Sequence, residues 1–373
     1  MIYLDSAATT PVKPEVLDVI MNTMKNCWGN PSSAYDFGLQ SRRIIEDAKK
    51  TVANSINAEP DEIIFTSGAS EANSLAIDGF FKSQEYEYGH FVTSRVEHSS
   101  ILHSSCGIDY SVYPNLSGGI DVEDLEKILV LFESHHKTLV SIQAANNEIG
   151  AINDIKALSD IAHKYNAFFH TDATQYFPYY KVDVKAMGID MMSVSGHKFG
   201  CPKGIGFLYV KNGIDLSPII HGTQNNGLRG GTENVPYIAG LSKAVELLDY
   251  SQSDILKQKR DYCLNKIYAI NCAKKITLNG YFGDRLPNNI NIRIKDVDAQ
   301  TIISLLDLNG FCVSAGSACH AYSSKPSHVL LAIGLSSKAA RESIRITLSH
   351  ETTYEEIDKF VEVLEMILTQ LIN

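Results

Sequence analysis

A chain of 373 residues is long enough to bury a large core, and its length favours two domains over one. Hydrophobic content of 44% with 20% charged residues is ordinary for a globular protein and argues against disorder. The 33 basic residues against 43 acidic give a formal charge of -10, so no electrostatic footprint for a phosphate backbone is visible and direct nucleic-acid binding is not expected.

No run of about 18 apolar residues is present, so no membrane partner is expected. The opening Met1-Ile2-Tyr3-Leu4-Asp5 has neither a basic nor a long apolar segment, and the expected location is cytoplasmic. The cysteines at 27, 106, 201, 263, 272, 312 and 319 form no C-x-x-C pair, which removes support for a disulfide scaffold and for a zinc site. A cysteine that matters here matters as a thiol.

The opening Leu4-Asp5-Ser6-Ala7-Ala8-Thr9-Thr10-Pro11 is a small-residue turn. After Pro14, Val16, Val19, Ile20 and Met24 fall at helical spacing. A turn-rich loop, Trp28 to Ser33, separates this helix from one with Ile44, Ile45, Ala48 and Val52 on one face; Asn30, before a proline, has the place of a plain turn residue. From Glu62 onward short apolar strands alternate with helices, at Ile63-Ile64-Phe65-Thr66, Phe91-Val92-Thr93, Leu139-Val140-Ser141-Ile142, Phe168-Phe169 and Met191-Met192. That alternation predicts a mostly parallel sheet covered on both faces, with ligands outside the carboxyl ends of its strands.

The lysine-rich segment 250–275 predicts a long surface helix. Beyond it, Ile290 to Ile294 and Ile344 to Leu348 alternate with period two, which predicts a half-exposed antiparallel sheet. Thr353 and Glu356 form a possible capping box ahead of an amphipathic helix through Ile357, Phe360, Val361, Leu364, Ile367, Leu368 and Leu371. The expected fold class is α/β, a large domain over 15–250 and a smaller α+β domain from 1–14 and 251–373.

The polar residues at the strand ends form a set. Thr66-Ser67-Gly68-Ala69-Ser70 joins a strand to a helix, where backbone amides and a hydroxyl can hold a phosphate, although an ordinary capped turn has the same composition. His98 follows the next strand, as a hydrogen-bonded surface residue, as a catalytic acid or base, or as a ring lying flat on an aromatic. Asn146-Asn147-Glu148 follows a third strand, and paired asparagines most often simply make turns. Asp172 ends a fourth, and Ser195-Gly196-His197-Lys198 follows a fifth. A lysine there either extends its amine into water or has it desolvated into a nucleophile. A carboxylate and a lysine at adjacent strand ends fit pyridoxal phosphate, which needs a Schiff-base lysine and an acid facing its pyridinium nitrogen.

Cys319 sits among small polar residues between Val313 and Pro326, a setting that suits an accessible thiolate, whereas Cys312 in Phe311-Cys312-Val313 has the surroundings of a core residue. Arg345 either points outward from its strand or offers a guanidinium to a carboxylate.

Taken together, these motifs resemble the cysteine desulfurases of the NifS/IscS type, class V aminotransferases of the fold-type I pyridoxal phosphate enzymes. The resemblance runs in order along nearly the whole chain, from Leu4-Asp5-Ser6-Ala7-Ala8-Thr9 through Gly29-Asn30-Pro31, Thr66-Ser67-Gly68-Ala69, Val96-Glu97-His98, Asn146 to Gly150, His170 to Gln175, Ser193 to Lys198, Pro202-Lys203-Gly204, Gly230-Gly231-Thr232 and Gly316 to Cys319, ending at Arg345.

It implies that Lys198 carries the cofactor, Asp172 faces its pyridinium nitrogen, Gln175 bonds the ring hydroxyl and His98 stacks on the ring. Ala69, Ser70, Ser195 and His197 would hold the phosphate, with Thr232 supplied by the second subunit of a homodimer. Asn30, Asn147 and Arg345 would bind the substrate, L-cysteine. Lys198 would move the Cα proton, and the Cys319 thiolate would take the sulfur as a persulfide, leaving L-alanine. That sulfur would pass to a scaffold or carrier protein for iron-sulfur cluster or thiolated-RNA assembly.

The chain departs from the usual pattern at Thr223, Asn225, Asn226 and Gly231, at Phe199-Gly200-Cys201 and at His320. The competing expectations are a selenocysteine lyase or β-lyase on the same fold, in which Cys319 is dispensable, and a non-catalytic paralogue that binds the cofactor and carries sulfur.

Overall fold

The computed structural model describes residues 1–83, 89–104, 109–132, 137–280, 285–316 and 325–372. Strands of the first half are β1 (Ile2–Tyr3), β2 (Ile63–Thr66), β3 (Gly89–Ser94), β4 (Tyr110–Val112), β5 (Lys137–Ser141), β6 (Phe168–Asp172), β7 (Met191–Ser195) and β8 (Gly206–Val210). Those of the second are β9 (Ile276–Leu278), β10 (Asn289–Ile294), β11 (Phe311–Cys312) and β12 (Ser343–Thr347). Helices α1 (Pro14–Asn26), α2 (Asp36–Ser55), α3 (Ala69–Lys82), α4 (Ser99–Leu102), α5 (Val122–Leu129), α6 (Ile155–Lys164) and α7 (Val235–Glu246) accompany the first group. The second is joined by α8 (Gln252–Ala269), α9 (Ala299–Leu308), α10 (His328–Ala332), α11 (Ser337–Arg341) and α12 (Tyr354–Ile372).

Seven strands form one sheet in the order β2-β8-β7-β6-β5-β3-β4. Only β8 runs against the rest, antiparallel to both β2 and β7, while β7, β6, β5, β3 and β4 are parallel neighbours. Successive strand residues point to opposite faces, and both faces are covered, which is why the strands are continuous apolar runs. Ile63, Val92, Val140, Phe169, Met192 and Phe207 pack with α1, α2, α6 and α7 on one side. Their neighbours Ile64, Phe91, Leu139, Met191 and Leu208 pack with α3 on the other. The carboxyl ends of β2, β3, β5, β6 and β7 therefore share one edge, as the sequence pattern predicts.

A second core gathers Leu4, Ile290, Ile292, Ile344 and Ile346 with α8, α9 and α12. Here β12, β10 and β9 form an antiparallel sheet, and β1 pairs with β11 in parallel. The expected half-exposed character of β10 and β12 is corrected: nearly every residue of both is buried. Their polar face, with Asn289, Asn291 and Arg345, lies against the 146–150 turn, so the period-two pattern separates an oily core from a polar interior contact.

Three further expectations need correction. α8 is shorter than 250–275 and buries Leu256, Arg260, Cys263, Leu264 and Ile267 along one face. Met24 of α1 is exposed, and Thr23 takes the inward position with Val16 and Ile20. Cys312 is half-buried, not a fully packed core residue. The predicted capping box is present: Thr353 N–H donates to Glu356 Oε2 (2.9 Å), and Glu356 N–H donates to Thr353 Oγ1 (3.2 Å). Among the described residues no helix is long and apolar enough to cross a membrane.

Candidate active site

The shared strand edge opens into a cavity of about 450 Å³. Its wall includes Ala69, Ser70, His98, Asn147, Asp172, Gln175, Ser195, His197, Lys198 and Arg345, ten of the residues singled out from sequence. Asn30 and Thr232 are exposed and do not line it; the Asn30 side chain accepts from its own turn, from Ser32 N–H at 2.9 Å. Cys319 and His320 lie outside the described residues.

The floor is a polar network under Asp172. One carboxylate oxygen accepts from Thr174 N–H (2.9 Å) and the other from Asn73 Nδ2 (2.8 Å), which also donates to Ser100 Oγ (2.9 Å). Behind it, His170 bridges neighbouring strands, with Nδ1 2.8 Å from Ser141 Oγ and Nε2 3.0 Å from Ser193 Oγ. Burial pushes the His170 pKa down to about 4, and the charge of Asp172 opposes that shift without cancelling it.

Lys198 lies in a single helical turn that follows β7 directly, and its Nζ donates to the carbonyls of Ala7 (2.7 Å) and Ala8 (2.8 Å). Gln175 Nε2 donates to the same Ala7 carbonyl at 3.0 Å. The opening turn, legible in sequence only as small residues, therefore contributes its backbone to the site. His197 Nδ1 is 3.1 Å from Thr9 Oγ1. Burial first, then the charges of Lys198 and Lys203, lower its pKa to about 4, so it remains neutral at pH 7.

At the corner between β2 and α3, the helix begins at Ala69 after Gly68, whose φ of 153° is a conformation that favours glycine. A Cβ at Gly68 would come 3.4 Å from Ser195 Oγ, and one at Gly206 would come 2.9 Å from Gly68 Cα, so the chain approaches this corner as closely as glycines allow. The first-turn amides of a helix have no intrahelical acceptor and carry partial positive charge. Glu71 organises the turn, accepting from Ser67 N–H (2.7 Å) and from Arg229 Nε (2.8 Å). Burial works against the Glu71 carboxylate, but these hydrogen bonds outweigh it and hold its pKa below the usual value. Arg229 belongs to the 221–234 loop, the one that carries Thr232.

His98 caps α4, with Nδ1 accepting from Ser100 N–H at 3.2 Å. Arg345, 1% exposed, donates through Nη2 to Asp5 Oδ1 (2.7 Å) and through Nη1 to the Asn147 carbonyl (3.0 Å). Its Nε is buried with no acceptor among the described residues, as is the Thr174 hydroxyl in the wall. Glu148 lines the cavity beside Asn147, on the rim where the sequence pattern puts it, whereas Asn73, Glu97, Asp5 and the Ala7 and Ala8 carbonyls have no role assigned from the sequence. Asn73 alone leaves a local signal, an amide on the buried, otherwise apolar stripe of α3.

These residues fit pyridoxal phosphate. An amine, a fixed carboxylate, a glycine-shaped corner at a helix start and unpaired buried donors meet in one cavity of cofactor size.

Comparison with known proteins agrees with this geometry. The aminotransferase class-V family model matches residues 2–360. A protein of Dictyoglomus turgidum named cysteine desulfurase IscS is 42% identical, over 99% of this chain and 95% of its own length. The solved structure of a NifS-like protein from Rickettsia africae superposes with a TM-score of 0.90 at 34% identity, covering 99% of each chain. SspA in complex with cysteine superposes with a TM-score of 0.80 at 35% identity, covering 95% of this chain and 100% of that one. With a family model spanning nearly its full length and such relatives end to end, this chain belongs to the class-V aminotransferase family, among the cysteine desulfurases of the NifS and IscS type.

Proposed function

We propose that the chain converts L-cysteine to L-alanine and takes the released sulfur onto Cys319 as a persulfide. The observation that carries this reading is the Lys198 amine in one cavity with Asp172 and Arg345. Pyridoxal phosphate, held by Lys198, Asp172, Gln175, His98, Ala69, Ser70, Ser195 and His197, supplies an electron sink for charge developing at the substrate Cα. Arg345 and Asn147 orient the amino acid, with the unpaired Arg345 Nε as a donor to its carboxylate. Lys198 takes the Cα proton, for which its amine must be neutral and free of the Ala7 and Ala8 carbonyls. The Cys319 thiolate then bonds to the substrate sulfur as the Cβ–S bond breaks with its electron pair left on carbon; one proton completes the methyl group, and Lys198 returns the other to Cα, giving alanine.

The same reading has a large domain over 15–250 and a small one from 1–14 and 251–373, in a cytoplasmic homodimer where the Thr232 loop of each copy serves the other's phosphate site. Asn30 would join the substrate site only in the assembled form. The persulfide passes to a scaffold or carrier protein, for iron-sulfur cluster or thiolated-RNA assembly. The test is alanine and sulfide release from L-cysteine with a reductant, by wild type and Cys319→Ala, each with its visible spectrum. Retention of the cofactor band with loss of both products supports the reading. A Cys319→Ala protein as active as wild type sinks the persulfide step and favours a lyase acting directly on cysteine or selenocysteine.

A further inference from the structure

Glu148 lines the cavity, is 1% exposed, and has no part in the reaction as written above. Its main chain is fixed from two sides of the molecule. Its N–H donates to Asn146 Oδ1 (2.8 Å), and its carbonyl accepts from Asn289 Nδ2 (3.1 Å) and Asn291 Nδ2 (3.0 Å) on β10. So braced, its side chain meets two residues far from it in sequence. Ser327 Oγ donates to Glu148 Oε2 at 2.5 Å. Gly316, with φ of 72°, passes so close that a Cβ built on it would lie 2.8 Å from the same oxygen.

Gly316 and Ser327 flank Cys319 in the sequence. Ser327 also caps α10, accepting from Leu330 N–H at 3.2 Å, and the neighbouring His328 Nε2 donates to the Glu97 carbonyl at 3.0 Å. The chain is thus pinned to the cavity wall where α10 begins, and at Gly316 it passes close to the same carboxylate.

We propose that Glu148 is a positioning residue for sulfur transfer, whose carboxylate fixes Ser327, with Gly316 passing close beside it, and thereby sets where the Cys319 thiol is delivered. This rests on the desulfurase reading above. Fixing a root of a short segment lowers the entropy cost of bringing its middle to one place. Attack on the substrate sulfur is steeply sensitive to that place, whereas the Cα proton transfer by Lys198 is not, because Cys319 takes no part in it.

The test compares two readouts on full-length holoenzyme. One is persulfide on Cys319 after a single turnover with L-cysteine, read by mass spectrometry; the other is solvent deuterium exchange at Cα of L-alanine, which needs Lys198 but not Cys319. Glu148→Ala should lower persulfide formation roughly ten- to a hundredfold while Cα exchange stays at the wild-type rate. Glu148→Gln, whose amide oxygen still accepts from Ser327, should restore most of it. Ser327→Ala, at a half-buried helix start, gives the same readout should Glu148→Ala fail to fold, and the double variant should fall no lower than either single one.

Wild-type persulfide rates in Glu148→Ala or Ser327→Ala overturn the proposal. So does loss of both readouts in equal proportion, which puts Glu148 at the reaction centre itself. A wild-type protein that exchanges no deuterium and forms no persulfide overturns the desulfurase reading and the proposal together, whereas normal wild-type behaviour with unaffected variants overturns the proposal alone.

Discussion

Asp5 and Arg345, 340 positions apart, meet at 2.7 Å, with Arg345 lining the cavity, and Ser314 Oγ donates to the second Asp5 oxygen at 2.6 Å. The guanidinium is 1% exposed, so the pair is a buried one, and removing one partner strands the other. Arg345→Ala should therefore destabilise the fold by about 3–5 kcal/mol in urea titration and raise KM for L-cysteine. Arg345→Lys keeps the charge but not the fork that reaches both Asp5 and the Asn147 carbonyl. It should regain part of the stability while KM stays high; equal recovery of both would mean that Arg345 serves the fold and not the substrate.

Lys198 is the second test. Its amine donates to the backbone carbonyls of Ala7 and Ala8, which help to position it at the strand edge. Lys198→Ala should lower Cα proton exchange and alanine formation by about 10²–10⁴-fold or more, the usual weight of a general base, with the fold intact. Alanine production at the wild-type rate would remove Lys198 from the reaction.

The strand-end residues were legible because each follows a short apolar run, and parallel strands bring such ends to one edge. Asp172 and Lys198 could be paired on that ground alone. The Ala7 and Ala8 carbonyls could not, since they are backbone groups about 190 positions from the lysine they hold and carry no side-chain signal. β10 and β12 misled for a related reason: a polar face in alternation means water or another polar surface, and only the 146–150 turn packed against it decides which. Asn30 and Thr232 stand off the cavity within one chain, and Cys319 lies outside the described residues, so its reading rests on its sequence setting.

Asn73 supplies a third prediction. It is fully buried, and its Nδ2 divides between Asp172 Oδ2 and Ser100 Oγ. A hydrogen bond to a charged group contributes about 1.5–3 kcal/mol, so Asn73→Ala should weaken pyridoxal phosphate binding roughly ten- to a hundredfold by loosening Asp172. Titration of the apoprotein with the cofactor measures this. Unchanged affinity would show that Thr174 N–H fixes the carboxylate unaided.

The pH dependence of stability follows from groups of opposite sign. His170 titrates at about 4 in the fold and at 6.5 when exposed, because burial disfavours its charged form. Between these values the unfolded chain binds the extra proton, so stability is lost as pH falls from 6.5 towards 4, by about 1.4 kcal/mol per pH unit for a whole proton. His197 has the same direction. Glu97, fully buried, is pushed up from 4.5 to about 8 by burial, against hydrogen bonds from Ser94 and Gln143 that favour its ionised form. There the folded chain holds the extra proton, so its contribution is complete below 4.5 and is lost as pH rises through about 8. The windows overlap between 4.5 and 6.5, where two histidines outweigh one carboxyl, and above 6.5 Glu97 acts alone. Stability measured by urea unfolding should therefore peak near pH 6.5 as far as these three groups govern it. Glu97→Gln, a neutral stand-in that keeps the Ser94 and Gln143 partners, should flatten the alkaline arm and steepen the acid one, and His170→Asn should make the acid arm shallower. An alkaline arm unchanged in Glu97→Gln would mean that Glu97 is ionised in the fold and that its hydrogen bonds, not its burial, decide its charge.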